Sequence, residues 1–229
     1  MNETPERPLI RAFLDAPLSG PESEAKSMEI IDREAPEHRF TPDEWQIVRR
    51  MIHTTGDFGI MEMVRFSPDA IAAGIAALQA CRSLIVDSNM IRSGLSLARL
   101  RGVCGFYRKE SLICHIADED IERTARRTSL PRSLHAIEKA RPFIAGAITA
   151  FGNAPIALLE LNRMIVEEGL RPALVVAMPV GFVHVVESKE ELMTLGVPYI
   201  ALAGRRGGSP LAVSVIHALC GIAGTEEKT

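Results

Sequence analysis

A histidine that could transfer protons lies in the stretch RMIHTTGDF, residues 50–58. A helix that starts at Pro42 carries an apolar stripe with spacings of three and four residues, and His53 falls at its border, partly buried. His53 also falls in the last turn, with Gly56 available as a left-handed C-cap. A helix C-terminus favours the imidazolium by roughly 0.3 to 1 kcal/mol, and a nearby carboxylate such as that of Asp57 favours it further. The pattern predicts either a general acid that works near neutral pH or a histidine that only stabilises the end of its helix.

A second group of residues that could bind anions is the loop GRRGGSP, residues 204–210. Arg205 and Arg206 supply two positive charges, the glycines let backbone N–H groups approach a ligand, and Ser209 can cap the following helix. Helix N-termini bind carboxylates because their N–H groups lack partners and carry partial positive charge. The loop matches neither GxGxxG nor GxxxxGK[ST]. It is therefore either a carboxylate site or an ordinary glycine turn with solvated arginines.

Helix-start signals mark two of the elements that must position these residues. In FTPDEW, Thr41 is the predicted N-cap, Pro42 the first helical residue and Glu44 the partner in a capping box. In FSPDAIAAG, the same kind of signal predicts Ser67 as N-cap, followed by Pro68. Two helices are therefore expected in the first half of the chain, and one of them carries the histidine.

The second half of the chain alternates between apolar runs and helical segments. Predicted strands cover residues 83–87, 111–118, 147–151, 173–179 and 198–204, and predicted helices cover 118–127, 132–140, 155–165, 187–196 and the apolar segment after residue 206. Near-continuous Val/Ile/Leu strands separated by helices predict a parallel sheet covered on both faces. We therefore predict an α/β fold with a single doubly wound (Rossmann-like), mostly parallel sheet, in which ligands bind beyond the carboxyl ends of the strands.

Other motifs have a simpler structural interpretation. ESKEEL, residues 187–192, is typical of a capped surface helix whose charged face is solvated. His115 lies in a predicted strand and has no partner at metal-ligand spacing, which favours a structural residue over a ligand. His135, His184 and His217 lie in similarly neutral settings and receive no role.

Composition restricts the class of protein. A hydrophobic fraction of 47% is enough for a sizeable core, and a net charge of −3 without a basic run argues against a nucleic-acid binder. Apolar stretches are interrupted well before the roughly 18 residues of a membrane span, and the first residues lack the features of an export signal. The four cysteines form no CxxC pair, which favours reduced thiols in a cytoplasmic protein.

The domain organisation is expected to be simple. Residues 1–26 are rich in Pro, Glu and Ser without periodicity and are predicted to be a mobile arm, or an arm that becomes ordered only against a partner. Residues 27–223 are predicted to form the single α/β domain, and residues 224–229 a disordered tail.

Several long blocks, taken in order, resemble one family, the precorrin-8X methylmutases, including the cobalt-precorrin-8 methylmutases. These blocks are SMEIID (27–32), HRFTPDEWQIVRRMIHTTGDF (38–58), VRFSPDAIAAGIAAL (64–78), IVDSNM (85–90), FGNAP (151–155), PALVVAMPVGFVHVVESKEEL (172–192) and GVPYIALAGRRGGSPLAVSVIHAL (196–219). The resemblance spans about residues 25 to 220, so it is more specific than any single motif.

The resemblance implies an isomerase of vitamin B12 biosynthesis that moves a methyl group from C-11 to C-12 of a tetrapyrrole macrocycle. It implies that His53 is the acid, that Ser27 and Arg132 contact substrate, and that no cofactor or metal is required. It also implies a homodimer with a shared active site. A corrinoid precursor is an apolar disc fringed with carboxylates, so Arg205, Arg206 and Ser209 are further candidates for substrate binding.

The sequence departs from the family pattern at three places. Pro131 stands where a threonine is usual, His184 where the family has small residues, and Arg92-Ser93-Gly94 where it has Ala-x-Gly. The alternative function is a non-catalytic corrinoid carrier. A nucleotide-dependent dehydrogenase is disfavoured because no glycine fingerprint follows the first strand.

Overall fold

A computed structural model of the chain describes residues 8–226. The α-helices of this part, numbered in chain order, are α1 (Leu9–Asp15), α2 (Gly20–Glu34), α3 (Pro42–Thr55), α4 (Ala70–Gln79), α5 (Asn89–Gly94), α6 (Leu97–Val103), α7 (Glu119–Thr128), α8 (Arg132–Ala140), α9 (Pro155–Glu168), α10 (Val185–Leu192) and α11 (Ser209–Glu226). The strands are β1 (Val64–Phe66), β2 (Leu84–Val86), β3 (Leu112–Ile113), β4 (Ile148–Phe151), β5 (Leu174–Ala177) and β6 (Tyr199–Leu202).

The strands form one sheet in the order β1-β6-β5-β4-β2-β3. Strand β1 runs antiparallel to β6, and all other neighbouring pairs are parallel. Every residue of β2, β4 and β5 is buried, because helices cover both faces of the sheet. The predicted doubly wound, mostly parallel α/β fold is confirmed.

Two layers of helices bury the two faces of this sheet. On one face, α8, α9 and α10 pack on alternate strand residues such as Ile85, Phe151 and Val175. On the other face, α11 packs against α3, α4, α5 and α6 and also contacts β4 and β5. Helix α11 is therefore the central helix of the second layer, and it connects the helix that carries His53 to the sheet.

The chain reverses its winding direction between β2 and β4. It leaves β2 toward the β3 edge, then returns past β2 to β4 and continues outward through β5 and β6. In an open α/β sheet, the loops that follow two such strands diverge and leave a crevice at the carboxyl edge, where ligands bind. A ligand is therefore expected to bind near the segments that follow Val86 and Phe151.

Two local predictions are wrong. Ser67 is not the N-cap of α4: its hydroxyl accepts a hydrogen bond from the Tyr199 N–H at 2.9 Å, and α4 begins at Ala70 after Asp69. Ser67 instead follows the antiparallel edge strand β1, which the sequence analysis did not predict. The strand expected over residues 111–118 shrinks to β3, because the chain turns after it and the Asp118 N–H bonds the His115 carbonyl at 3.1 Å.

The described residues form two compact units, which divide after residue 38. The first unit contains α1 and α2, so the lack of regular structure expected before residue 27 is not observed over the described residues. Helix α2 starts with a full capping box between Ser19 and Glu22, a signal that the sequence analysis did not use. The mobility expected for residues 1–26 remains a prediction. At the other end, α11 continues to Glu226, and residues 227–229 of the expected tail lie outside the described part.

Candidate active site

Asp87 joins the carboxyl ends of two neighbouring strands. Its side chain is buried, and its carboxylate accepts hydrogen bonds from the N–H groups of Gly152 at 3.1 Å, Asn153 at 2.8 Å and Ala154 at 2.6 Å. Burial raises the pKa of Asp87, and the three N–H donors oppose that rise. The carboxylate therefore fixes the loop that leads into α9 against the end of β2.

Glycines allow the loops at this edge to pack backbone against backbone. A Cβ atom added at Gly152 would lie 2.6 Å from the Cα atom of Ser209, the first residue of α11. A Cβ atom at Gly207 would overlap the carbonyl oxygens of Met178 and Pro179. Because backbone atoms cannot move aside, only glycine fits at either position. The loops after β4, β5 and β6 thus form one close-packed platform.

A buried lysine holds the loop formed by residues 204–208. The Lys189 side chain has no solvent exposure, and its Nζ donates hydrogen bonds to the carbonyls of Gly204 at 2.9 Å and Arg206 at 2.8 Å. No carboxylate pairs with it within residues 8–226, and burial lowers the pKa of Lys189 to about 8. The solvated face predicted for ESKEEL is therefore wrong for Lys189 and for Ser188, which is also fully buried.

The segment of residues 204–210, called the arginine loop below, contains three candidates that have different surroundings. Arg206 forms an ion pair of 2.5 Å with Asp57, just beyond the end of α3. The guanidinium of the exposed Arg205 lies 5.4 Å from the centre of the Phe182 ring, a cation–π contact. The Ser209 hydroxyl is buried and lies 3.0 Å from that of Ser88. Of the two arginines, Arg205 is the one that has no acidic partner among the described residues 8–226.

His53 lies where the sequence predicted, in the last turn of α3. The helix begins with the Thr41–Glu44 capping box and ends at Gly56, whose φ of 65° is left-handed. The predicted partial burial is wrong, because the His53 side chain is exposed. The stripe that faces the core is formed by other residues of α3, including Met51 and Ile52.

The ion pair between Arg206 and Asp57 connects the two predicted parts of the site. Asp57 follows His53 by four residues, and the Gly59 N–H donates to the second oxygen of the Asp57 carboxylate at 2.8 Å. The arginine loop is thus attached to the C-terminal end of α3. The Asp57 carboxylate, which was predicted to favour the charged form of His53, instead pairs with Arg206.

Ser27 and Arg132 are the two remaining candidates, and within residues 39–226 Arg132 forms no hydrogen bond or ion pair with the residues described above. Ser27 lies in α2, in the unit of residues 1–38, and its hydroxyl donates to the Ser23 carbonyl at 2.8 Å. Arg132 is exposed as the first residue of α8. Their roles in substrate binding remain predictions.

A cleft of about 310 Å³ lies between α3, α5 and α11. Arg50 and Thr54 of α3, Met90 and Gly94 of α5, and His217 of α11 are among its lining residues. His217 accepts the Ser96 N–H through Nε2 at 3.0 Å, so this ring nitrogen carries no proton. His53 is not among the lining residues, although it lies between two that are. The cleft is largely apolar at α5 and has a cationic side chain at α3.

Among residues 8–226, none of the helices has the length and apolar character of a membrane span. The same residues include no group of three His, Cys, Asp or Glu side chains that could hold a metal ion. All four cysteines have free thiols.

Comparisons with known proteins identify the family. The family model for precorrin-8X methylmutase matches residues 22–222. The cobalt-precorrin-8 methylmutase of Leptospira interrogans is 43% identical over 205 residues, 86% of this chain and 90% of that protein. The precorrin-8X methylmutase of Pseudomonas aeruginosa is 38% identical over 172 residues, 74% of this chain and 80% of that protein. A crystal structure of the precorrin-8X methylmutase from Thermus thermophilus superimposes with a TM-score of 0.82 at 42% identity, and the match covers 90% of this chain and 98% of that one. The resemblance predicted from the sequence blocks is confirmed, and the chain belongs to the precorrin-8X methylmutase family.

Proposed function

We propose that this chain is an isomerase of cobalamin biosynthesis that moves a methyl group from C-11 to C-12 of a tetrapyrrole macrocycle. The observation that carries this proposal is the match of the family model to residues 22–222, together with relatives named as methylmutases across most of their length. The product is hydrogenobyrinate, or its cobalt counterpart when the metal is already in the ring. Any cobalt is then part of the substrate.

The proposed acid is His53. Protonation of a ring nitrogen withdraws electrons from the π-system and eases migration of the methyl group toward the more conjugated corrin. Such assistance typically accelerates a reaction 10² to 10⁴-fold, or roughly 3 to 5 kcal/mol of barrier. The exposed imidazole at the end of α3 is compatible with this role, because a large substrate can reach it directly.

The proposed binding site binds the carboxylates at the rim of the macrocycle and shields its apolar face. Arg205 is exposed and has no acidic partner within residues 8–226, so it can form a bidentate pair with a carboxylate. Beside it, Val180, Phe182 and Val183 expose apolar surface at the carboxyl edge of the sheet. Arg206 and Ser209 are proposed to act mainly by shaping the loop, and Arg132 to bind another carboxylate.

We also propose that the active unit is a homodimer with a shared site. The cleft beside α3 has a volume of about 310 Å³, at the lower end of the roughly 300 to 1,000 Å³ typical of ligand pockets. A corrin precursor is larger than most such ligands, so a second protomer would complete the enclosure. The cytoplasm is the proposed compartment, because it keeps thiols such as the four cysteines reduced.

The experiment that tests this function is direct. Purified protein is incubated with metal-free precorrin-8X and, separately, with its cobalt form, and the visible spectrum is followed. Turnover of either form to the corrin chromophore supports the isomerase, and the faster substrate identifies the natural one. Binding of both without any spectral conversion would instead indicate the corrinoid carrier, which the names of the relatives do not favour.

A further inference from the structure

A second cleft, of about 460 Å³, lies on the other side of α5 beside the edge strand β3. Its lining residues are Asn89, Arg92, Ser93, Leu95, Leu97, Lys109 and Leu112. Two of these side chains are cationic, two are neutral hydrogen-bond donors, and none is acidic. The cleft therefore presents a positive surface to its contents.

The two cations of this cleft have no anionic partner in the part of the chain that the structure describes. Within residues 8–226, neither the Arg92 nor the Lys109 side chain forms a hydrogen bond or an ion pair, and both are exposed. Burial raises the pKa of Cys114 near β3, and the positive charge of Arg92 acts against that rise. The Arg92 guanidinium is therefore close enough to the edge of the sheet for its charge to act on Cys114.

Several other cations of the same domain do have acidic partners. Arg206 pairs with Asp57, Arg126 with Glu122, and Lys139 with two aspartates at 2.7 and 2.8 Å. Two like charges on one cleft repel each other, and an anion between them removes that repulsion. A planar guanidinium also matches a carboxylate in a bidentate geometry, to which an ammonium adds a point charge.

Helix α5 relates this cleft to the candidate active site. Met90 and Gly94 on one side of α5 line the cleft beside α3, whereas Arg92 and Ser93 line the second cleft. The helix follows directly on β2, whose end is fixed by Asp87 at the switch point of the sheet. A disc held next to Met90 can thus extend a flexible acidic side chain across α5.

We propose that Arg92 and Lys109 together bind a peripheral carboxylate of the tetrapyrrole, as a subsite separate from the arginine loop. This inference rests on the proposed function for the identity of the ligand. The chemistry that it requires is a carboxylate on a flexible arm, which the two cations bind and which Asn89 and Ser93 can assist by donating hydrogen bonds.

The test measures equilibrium binding of hydrogenobyrinate and of its fully esterified, neutral form by spectral titration. The variants are Arg92→Ala, Lys109→Ala and the double variant, and the matched control is Arg127→Ala, an exposed arginine of α7 outside the cleft. Each single variant is expected to weaken binding of the acid about fivefold, which corresponds to roughly 1 kcal/mol, and to leave binding of the ester unchanged. Binding of the acid to the double variant should depend less on ionic strength than binding to wild type does.

The outcomes separate this inference from the proposed function. If the double variant binds the acid as tightly as wild type, the subsite is wrong, whatever the turnover rate. If wild type binds but does not convert substrate, and the double variant still binds the acid more weakly, the subsite stands and the isomerase proposal fails. If wild type does not bind the macrocycle at all, both are wrong.

Discussion

The buried Lys189 leads to a sharp prediction about the pH dependence of stability. Its ammonium has no solvent exposure and no carboxylate partner within residues 8–226, and burial lowers its pKa from 10.5 to about 8. Between these two values the unfolded chain binds the proton more tightly than the folded one does, so the free energy of unfolding rises with pH. The difference between the two pKa values corresponds to roughly 3 kcal/mol, most of which is regained as pH rises from 7 to 10.5.

Lys189→Met removes the charge together with this pH dependence. It also leaves the partly buried Gly204 and Arg206 carbonyls without this donor, at a cost of up to about 3 kcal/mol for each. Near pH 7 the two effects oppose each other, so the variant should unfold at a similar denaturant concentration to wild type. By pH 9.5, wild type should have gained about 2 kcal/mol over the variant.

The assay is urea unfolding of both proteins at pH 7.0, 8.5 and 9.5, monitored by circular dichroism. Lys139→Met is the matched control, because Lys139 hydrogen-bonds Asp118 and Asp120 and its pKa is raised. A raised pKa contributes stability that is fully present below 10.5, so the difference between wild type and this control should stay constant over the same range. A constant difference for Lys189→Met as well would refute the argument that a buried, unpaired ammonium holds the loop.

Three further predictions concern the platform at the carboxyl edge of the sheet. Gly152→Ala should destabilise the protein by more than 2 kcal/mol in urea unfolding, because its Cβ would meet the backbone of Ser209, whereas Gly221→Ala, with open space around it, should be neutral or stabilising. A neutral Gly152→Ala would contradict the close packing. His184 has a left-handed φ of 59°. The free energy of unfolding of His184→Val should therefore be about 1 to 2 kcal/mol lower than that of His184→Gly in the same assay. Equal values would rule out backbone strain there. Asp87→Asn should lower the free energy of unfolding by about 3 kcal/mol, because an amide cannot accept three N–H groups as a carboxylate does; a loss under 1 kcal/mol would show that these bonds matter little.

Most of the fold was predictable from local patterns. The strands β4, β5 and β6 are apolar runs bounded by glycine or proline, and α3 has both an N-terminal capping box and a C-terminal glycine. The edge strand β1 was not predictable in this way, because three residues leave no periodicity to detect. Its pairing with β6 depends on contacts distant in sequence, which no local signal encodes.

The places of the site residues in the fold were predictable from the sequence, but most of their side-chain contacts were not. The arginine loop follows β6, as the alternation of strands and helices indicated, and His53 occupies the last turn of α3. The partner of Asp57 could not be deduced, because Arg206 is separated from it by most of the domain. Lys189 could have been found: it lies between Val185 and Leu192 at helical spacing, on the face that is buried.

The proposed reaction depends most directly on proton donation by His53. The decisive measurement is a single-turnover experiment, with enzyme in excess over substrate, on wild type, His53→Ala and His53→Gln, in parallel with spectral titration of the product. Both variants should bind the macrocycle within about threefold of wild type, because the arginine loop is intact, and should convert it about 10² to 10⁴-fold more slowly. Conversion at the wild-type rate by either variant would contradict the assignment of His53 as the acid.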